Sequence, residues 1–328
     1  MKKPVIAITM GDPGGVGPEV TLKALRDFRE KARIILVGNK IVFDQANRLL
    51  RNRVSFAVLN SMAHFSNTAG EVSLLEVSGS NIGFIKAKIS RSNGEMAYRA
   101  LKKGVALARS GLVSALVTAP LSKSAVRLSN RRFQDQTEFI RKASRSRKYA
   151  MSFIAGRQCV TLVTTHVPLN GIARILKRKD IVEKTILTVE FLRKVGHIRK
   201  PKVVVLGLNP HAGESGMLGS EEEKIIKPAV RDLKNRGIDV SGPAPADSVF
   251  YAWDQGKFDA VIAMYHDQGL GPFKMRHFHD GVHVTLGLPF IRTSPDHGTA
   301  FDIAYLGKAS ALAMQEAIRS AICFAKLR

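Results

Sequence analysis

The sequence predicts an α/β protein with a largely parallel β-sheet. Short apolar runs alternate with segments whose apolar residues recur at helical spacing, which is the pattern of strand–helix–strand units. Hydrophobic residues make up 45% of the chain and charged residues 24%, an ordinary composition for a globular protein. With 328 residues, the chain is long enough for two domains.

Seven short runs rich in Val, Ile, Leu and Ala have the length and composition of buried strands. They are 5–10, 33–37, 54–59, 115–118, 160–164, 203–208 and 260–264. Six longer segments have apolar residues at helical spacing and predict helices. They are 18–29, 40–50, 95–110, 181–195, 221–236 and 309–326. The segment 67–93 has weak periodicity, so we expect an irregular stretch or short strands there.

Two of the predicted helices carry signals at both ends. In a capping box, the N-cap side chain and a Glu three residues later accept hydrogen bonds from free backbone N–H groups. Two pairs of residues have this spacing. The pairs are Asp180 with Glu183 and Ser220 with Glu223. Gly196 and Gly237 follow the same two helices, and glycine favours the left-handed conformation that ends many helices.

The chain is strongly basic, with 51 Lys and Arg against 27 Asp and Glu and a formal net charge of +24. A basic face attracts nucleic acid. The positive residues are nevertheless spread along the chain, without basic–aromatic interleaving, and local clusters occur only at 141–148 and 177–179. We therefore expect an anionic small substrate as the partner, and no nucleic acid.

Targeting signals are weak in this sequence. The apolar N-terminal stretch breaks at Gly11 and lacks a small-residue cleavage site, so we expect a first strand rather than a signal peptide. No apolar run approaches the roughly 20 residues of a membrane-spanning helix, so no membrane partner is expected. Cys159 and Cys323 lie far apart in apolar surroundings, which favours buried free thiols and a cytoplasmic location.

A glycine-rich loop directly follows the first predicted strand. It reads GDPGGVGPE from Gly11 to Glu19, and Pro18 suits a first helical turn. A tight strand-to-helix turn would explain the glycines, but a loop at the carboxyl end of a strand can also face a ligand. It matches neither the dinucleotide fingerprint G-x-G-x-x-G nor a P-loop, so a Rossmann fold is not expected.

Three histidines each follow the end of a predicted buried strand: His166, His211 and His266. Ligands of open α/β sheets bind outside the carboxyl ends of the strands, so three histidines in this position favour a shared site. Imidazole nitrogens suit transition metals better than magnesium or calcium. Three histidine ligands also leave an open coordination position, as a catalytic metal requires.

Other charged residues lie in loop-like contexts near these motifs. Asp267 adjoins His266 and Asp247 lies in the sequence PADS, where each could orient a ligand, act as a base, or serve as a cap or turn residue. Lys274 and Arg292 could bind phosphate or carboxylate groups, although surface charge is the usual role of such residues. For the histidines at 277, 279 and 283 we favour a polar loop over a metal site.

Six motifs together resemble a known family. In chain order they are ITMGDPGGVGPE, VTAPLSK, TTHVPL, NPHAGE, MYHDQGL and GLPFIRTSPDHGTAFDIA. The chain is similar from about residue 4 to 320 to the 4-hydroxythreonine-4-phosphate dehydrogenases of pyridoxal phosphate biosynthesis. The first and last motifs also resemble isocitrate and isopropylmalate dehydrogenases, whose fold that family shares.

The resemblance implies two α/β domains around a central cleft, not a Rossmann fold. Residues 1–130 with 285–328 would form an NAD-binding domain, and residues 131–284 a metal, substrate and dimerisation domain. The resemblance also implies a homodimer whose active site lies at the subunit interface. Which subunit would supply each metal ligand is left open.

The resemblance assigns roles residue by residue. His166, His211 and His266 match the metal ligands, with zinc, cobalt or manganese favoured and magnesium as the alternative. The implied substrate positions are Gln136, Thr137, Lys274, His283 and Arg292. The implied positions for the cofactor, NAD or NADP, are Gly11, Asp12, Gly15, Asp296, His297 and Gly298. Asp247 and Asp267 remain candidates for a base or for support of the ligands.

Three positions depart from the family. Gln136 stands where the family has His, His283 stands where it has Asn, and Tyr305–Leu306 replaces a Gly–Lys-like pair near the implied adenosine pocket. The first two departures exchange an imidazole and a carboxamide, so the set of hydrogen-bonding groups is kept.

The implied reaction is the metal-dependent oxidation of 4-phosphooxy-L-threonine by NAD, followed by loss of CO₂ to give 3-amino-2-oxopropyl phosphate. One alternative is a paralogue that oxidises 4-phospho-threonate or 4-phospho-erythronate. An alternative of another class is a basic nucleic-acid-binding protein on the enzyme scaffold.

Overall fold

The computed structural model describes residues 3–50, 53–59, 61–65, 71–77 and 83–327. The chain divides into two compact units. The first unit comprises Met1–Arg147 with Leu288–Lys326, and the second comprises Lys148–Gly287 with Leu327–Arg328. The first boundary therefore falls after Arg147 rather than after residue 130. Phe133 and Ile140 explain this shift, because both are buried in the apolar core of the first unit.

Six parallel strands form the sheet of the first unit within the described residues. They are β1 (Val5–Thr9), β2 (Arg33–Gly38), β3 (Phe56–Leu59), β4 (Val72–Glu76), β5 (Ala115–Thr118) and β12 (Ile291–Pro295). Their order is β3-β4-β2-β1-β5-β12, which differs from the 3-2-1-4-5-6 order of the Rossmann fold. The prediction of an α/β fold outside the Rossmann class is confirmed.

Helices accompany these strands, and several of them make the crossovers that parallel pairing requires. They are α1 (Gly17–Ala24), α2 (Lys40–Asn47), α3 (Arg91–Arg109), α4 (Lys123–Ser129), α5 (Gln136–Ala143) and α11 (Leu312–Leu327). Helix α3 buries Leu101 and Val105 in the core of the unit. A Cβ atom at Gly104 would lie 2.5 Å from Thr9 Cγ2, so glycine permits the close packing of α3 on β1.

The second unit has a mixed sheet. Its described strands are β6 (Ala150–Ala155), β7 (Gln158–Leu162), β8 (Val203–Leu206), β9 (Val240–Ala244), β10 (Ala260–Ala263) and β11 (Val282–Leu286). In the order β11-β6-β7-β10-β8-β9, β6 is antiparallel to β7 and to β11, and the remaining pairs are parallel.

Helices and an aromatic cluster complete this unit. The helices are α6 (Ile172–Ile175), α7 (Arg178–Lys194), α8 (Lys227–Asn235), α9 (Ala246–Asp254) and α10 (His266–His277), and a π-helical turn (Glu222–Ile226) precedes α8. The rings of Phe153 and Trp253 lie 6.0 and 6.3 Å from that of Phe273, and all three are buried. None of the helices in the described part of the chain has the length and apolar character that crossing a bilayer requires.

The seven predicted strands and six predicted helices all form, most of them with shifted ends. Strand β4 lies inside the stretch expected to be irregular or to contain short strands, while residues 67–70 and 78–82 of that stretch lie outside the described residues. The elements that were not predicted are β6, β9, β11, β12, α4, α5, α6, α9 and α10.

The predicted helix ends are partly wrong. No side-chain cap hydrogen bond forms at the start of α7 or of the π-helical turn, so neither predicted capping box exists. Gly237 does take a left-handed conformation after α8, with φ of 72°. After α7, the left-handed residue is His197 rather than Gly196.

The cysteines are both free thiols, as predicted. Cys159 is buried, and burial raises the pKa of its thiol to about 12, so it is unreactive at neutral pH. Cys323 is exposed, and the expectation that it is buried is wrong.

Candidate active site

Three neighbouring parallel strands of the second unit carry the three histidines. Strand β10 pairs with β7 on one side and with β8 on the other. His166 follows β7, His266 is the first residue of α10 directly after β10, and His211 lies in the loop after β8. Because the strands run in one direction, all three histidines follow the same edge of this sheet.

Two of the three imidazoles are close together. The ring centroids of His166 and His266 lie 5.9 Å apart with an angle of 39° between the ring planes. His266 Nδ1 is 2.6 Å from Asp267 Oδ1, an arrangement in which a carboxylate fixes the ring and leaves Nε2 to bind a metal. In the described chain, no three His, Cys, Asp or Glu side chains lie close enough to bind one metal ion, so His211 does not join this pair.

The donor set fits a divalent transition metal in its chemistry. His166 is exposed and the side chain of His266 is 40% exposed, so an ion can reach both rings. Imidazole nitrogens backed by a carboxylate are the ligands of zinc and cobalt sites in other proteins. A third ligand is needed to complete such a site, and His211 follows the strand next to β10.

The loop that carries His211 has an unusual backbone. Within this His211 loop (Pro210–Gly216), the five residues 211–215 have φ between 41° and 81°. This left-handed conformation is costly for residues other than glycine. A Cβ atom at Gly213 would lie 2.6 Å from Glu222 Oε2, so this position requires glycine.

A buried carboxylate holds the start of the His211 loop. Glu222 Oε1 accepts hydrogen bonds from the backbone N–H groups of Leu208 at 2.7 Å and Asn209 at 2.8 Å. Glu222 Oε2 accepts one from Asn209 Nδ2 at 2.9 Å. Burial by itself would raise the pKa of Glu222, but these hydrogen bonds outweigh burial and lower it. The sequence interpretation missed Glu222 because its partners are set by tertiary structure.

Lys184 is a second residue that sequence reasoning missed. Its ammonium group donates a hydrogen bond to the carbonyl of Val163, at the end of β7 and just before His166. Burial lowers the pKa of Lys184, while the charges of Asp180 and Glu183 oppose this effect. These two acidic residues, which the sequence suggested as a capping box, instead lie near a half-buried lysine.

Three other predicted residues of the second unit make no contact with His166 or His266 among the described contacts. Asp247 is exposed in the first turn of α9 and makes no hydrogen bond or ion pair with the described residues. Lys274 is half-buried in the last turn of α10. His283 is buried in β11, where its ring stacks on Phe153 with centroids 5.2 Å apart.

The first unit gathers a different group of predicted residues around Arg292. This side chain is 2% exposed on β12. Its Nη2 donates to Thr118 Oγ1 at 2.8 Å and to Gln136 Oε1 at 3.1 Å. Gln136 Nε2 in turn donates to the carbonyl of Ala119 at 3.0 Å, and Thr137 is the next, buried residue of α5.

Arg292 keeps its charge in this environment. Burial lowers its pKa to about 10, and the charge of Asp135 partly offsets that effect. The guanidinium is therefore cationic at neutral pH, as binding of a phosphate or carboxylate requires. Thr118, which accepts hydrogen bonds from this guanidinium, was not predicted because a lone threonine at a strand end carries no sequence signal.

The glycine loop after β1 is fully buried. Gly11 has φ of 72°, and a Cβ atom there would lie 2.3 Å from the carbonyl oxygen of Pro120. A Cβ atom at Gly15 would lie 2.8 Å from the carbonyl oxygen of Thr299. Asp12 Oδ1 accepts a hydrogen bond from the N–H of Gly14 at 2.9 Å. These glycines thus permit close backbone packing.

The remaining predicted cofactor positions lie just after β12. Asp296 is half-buried, whereas His297 and Gly298 are exposed. His297 Nδ1 lies 2.9 Å from the carbonyl oxygen of Gly298. Two of the six predicted positions are therefore accessible in this structure, while Gly11, Asp12 and Gly15 are buried.

Tyr305 covers part of the same loop. Its hydroxyl donates to the carbonyl of Pro13 at 2.6 Å, and its ring lies 5.7 Å from that of Phe84. Lys86 Nζ lies 5.1 Å from the centroid of the Tyr305 ring. Tyr305 has φ of 61°, which explains why glycine suits this position in the family that the sequence resembles.

Known proteins match this chain over nearly its whole length. The family model described as pyridoxal phosphate biosynthetic protein PdxA matches residues 30–321. A 4-hydroxythreonine-4-phosphate dehydrogenase of Desulforapulum autotrophicum is 41% identical over 97% of this chain and 95% of its own length. A D-threonate 4-phosphate dehydrogenase of Salmonella typhimurium is 39% identical over 98% of this chain and 99% of its own.

A solved structure shares the fold. The crystal structure of a 4-hydroxythreonine-4-phosphate dehydrogenase from Klebsiella pneumoniae aligns with a TM-score of 0.87 at 36% identity. The alignment covers 98% of this chain and 100% of that chain. Sequence and structure agree, and the chain belongs to the PdxA family.

Proposed function

We propose that this protein oxidises 4-phosphooxy-L-threonine with NAD or NADP and decarboxylates the product to 3-amino-2-oxopropyl phosphate, as a step of pyridoxal phosphate biosynthesis. Relatives named for this dehydrogenase activity, at about 40% identity over nearly the full length, support the reaction. Within the chain, the observation that carries the proposal is the pair His166 and His266 at the carboxyl edge of parallel strands.

His166, His211 and His266 would hold the divalent metal ion, with Asp267 keeping the His266 ring in one orientation. When bound, the metal supplies polarisation of the substrate oxygens and the nicotinamide supplies a hydride acceptor. Asp247 lies exposed and unpaired among the described residues, so it is free to take the proton of the substrate hydroxyl.

The cationic and polar side chains would bind the charged ends of the substrate. Arg292 is pre-oriented by Thr118 and Gln136, which lowers the entropic cost of binding an anionic group. Lys274 would supply a second positive charge, and Thr137 and His283 would supply hydrogen bonds.

We further propose a homodimer that forms through the second unit. The five most exposed large apolar side chains of the described residues, between 71% and 89% exposed, all belong to it. They are Leu169, Met217, Tyr251, Met275 and Phe278. In the first unit, no described large apolar side chain is more than 57% exposed. Met275 and Phe278 lie three residues apart at the C-terminal end of α10, where they can form one apolar patch, and exposed apolar patches favour an interface.

Oxidation of 4-phospho-D-threonate is the second candidate function. Relatives named D-threonate 4-phosphate dehydrogenase match this chain at 39–40% identity, as closely as those named for hydroxythreonine phosphate. Gln136 and His283, which depart from the family pattern, support a changed substrate contact.

The test is a metal-dependent assay of NADH and NADPH formation with both substrates. We expect turnover of 4-phosphooxy-L-threonine that chelation abolishes and zinc, cobalt or manganese restores. Replacing His166 with Ala should remove both bound metal and activity, whereas replacing the exposed His297 with Ala should leave the metal content unchanged. Higher kcat/KM with 4-phospho-D-threonate would select the second candidate, and no turnover of either substrate would refute both.

A further inference from the structure

A cationic pocket of about 600 Å³ lies in the first unit, at the C-terminal end of α1. Four of its lining residues are basic: Lys23, Arg26, Arg29 and Arg53. None of the described residues that line it is acidic, and Leu49, which is 37% exposed, and Leu50 form an apolar part of the wall. The glycine loop lies at the opposite, N-terminal end of α1.

Three of these cations follow one another at intervals of three residues along the chain. Lys23 lies on α1, Arg26 in the 3-10 turn that follows it, and Arg29 just beyond that turn. Lys23 is neutralised by Glu19, at 2.6 Å, and also donates to the carbonyls of Gly307 and Ala309. A positive charge near the C-terminal end of a helix is favourable, and Lys23 already provides it.

The three arginines of the pocket have no such compensation. Neither Arg26, Arg29 nor Arg53 forms an ion pair with any residue that the structure describes. Arg29 Nε is shielded from solvent and has no hydrogen-bond partner within the described residues. A buried donor without an acceptor is costly, and such donors in native proteins usually mark a missing partner.

We propose that this pocket binds a nucleotide-sized organic phosphate, with its phosphates against the three arginines and its base against Leu49 and Leu50. Guanidinium groups bind phosphate oxygens in bidentate geometry, which suits them to this task better than lysine. The volume lies within the range of small-ligand pockets and exceeds what a single inorganic phosphate needs. The proposed cofactor also contains an ADP moiety, so the ADP titration that tests this proposal is repeated with saturating NAD: ADP binding that NAD abolishes would place ADP in the cofactor site and overturn the proposal.

Isothermal titration of the full-length protein with ADP tests the proposal, with adenosine and pyrophosphate as separate probes. Arg26 and Arg53 are exposed, so replacing both with Ala should leave the fold intact. We expect the double variant to bind ADP about tenfold more weakly or worse, because two charge-assisted contacts are lost. Adenosine, which lacks phosphate, and pyrophosphate, which lacks the base, should each bind more weakly than ADP.

The matched control removes the same charge elsewhere in the first unit. Lys102 and Lys103 are exposed on α3, and replacing both with Ala should change ADP affinity by about twofold or less. If ADP affinity fell equally in both double variants, the cause would be the general attraction of a basic protein for anions, and the proposal would be overturned. Absence of ADP binding to the unaltered protein, or binding insensitive to Arg26 and Arg53, would also overturn it.

Discussion

Asp12 is fully buried in the glycine loop, and this changes the chemistry of its carboxyl group. Burial raises the pKa of Asp12 to about 6, although hydrogen bonds from the N–H groups of Gly14 and Ser122 act in the opposite direction. The native state therefore holds this proton more tightly than the unfolded chain does. The carboxyl of the unfolded chain ionises at about pH 4. The free energy of unfolding therefore falls as the pH rises from about 4 to about 6.

Replacing Asp12 with Asn should remove this pH dependence, because the amide does not ionise. The difference in Tm between Asp12→Asn and the unaltered protein should grow in favour of the variant from pH 4 to about pH 6 and stay constant above. The raised pKa of about 6 corresponds to roughly 3 kcal/mol over that window. Thermal unfolding in a pH series measures it.

An exposed aspartate provides the control. Asp302 lies at the surface of the first unit, and Asp302→Asn should show no such trend. A Tm difference for Asp12→Asn that is the same at pH 4 and pH 7 would contradict the raised pKa.

The hydroxyl of Tyr305 is a second group whose contribution to stability can be measured. Removing its hydroxyl in Tyr305→Phe leaves the carbonyl of Pro13 without this donor and should lower the free energy of unfolding by about 1 kcal/mol. Urea unfolding measures the change. The Tyr98 hydroxyl makes no hydrogen bond with the described residues, so Tyr98→Phe should have almost no effect. Equal effects of the two substitutions would argue against a stabilising hydrogen bond at Tyr305.

Sequence patterns predicted site residues that follow strands and missed those that act through tertiary contacts. His166, His211 and His266 were found because strand ends can be read from apolar runs. Glu222 and Lys184 were missed because their partners are backbone groups in distant segments, which leave no periodic signal. The same limit applies to the orientation of His211, which depends on the backbone of its loop.

Among the structural elements, the His211 loop depends most clearly on a single side chain. The left-handed backbone of residues 211–215 is unfavourable by itself, and the Glu222 carboxylate holds the residues that precede it. In Glu222→Gln, the new NH₂ group would face the Asn209 Nδ2 donor, and two donors cannot form a hydrogen bond. We expect this variant to be destabilised by about 1–3 kcal/mol and to bind zinc more weakly through His211.

The neighbouring Glu223 is the matched control, because it is exposed and pairs only with Lys227 among the described residues. Thermal unfolding and a competitive zinc titration should both separate Glu222→Gln from Glu223→Gln. If the two variants unfold alike and bind zinc alike, the carboxylate does not hold the loop.

The elements that sequence periodicity failed to predict share physical causes. Helix α10 contains Gly269, Gly271 and Pro272, which mask a helical pattern. Helix α5 is eight residues long and is stabilised by Asp135, whose side chain accepts from the N–H of Glu138 at 2.8 Å. Short elements depend on packing and caps more than on propensity.

For the whole molecule, the exposed apolar side chains of the second unit predict an assembly. We expect the double variant Met275→Glu and Phe278→Glu to be monomeric, because two charges would be buried in the proposed interface. Light scattering coupled to size exclusion measures the mass. Leu112→Glu, at an exposed apolar position of the first unit, should remain dimeric. A monomeric unaltered protein, or dissociation by Leu112→Glu alone, would contradict the proposed surface.

The sequence motifs indicated two units, one of them discontinuous, through the family that they resemble. The position of the first boundary could not be read from composition, since no linker separates the units. Residues 131–147 join the first unit through Phe133 and Ile140, and burial of this kind emerges only in the folded chain.

The discontinuity of the first unit bears on the order of events during synthesis. Strand β12 pairs with β5, and α11 buries Met314, Ala317 and Ile318, so residues 288–326 complete a unit that residues 1–147 begin. Residues 148–287 leave the ribosome earlier, and the second unit has nearly all of its chain by then. Until β12 arrives, the edge of β5 has unpaired backbone groups, which is the kind of edge that promotes aggregation of nascent chains. We therefore expect this protein to need a chaperone most in the interval after residues 1–147 have been made and before residues 288–326 follow.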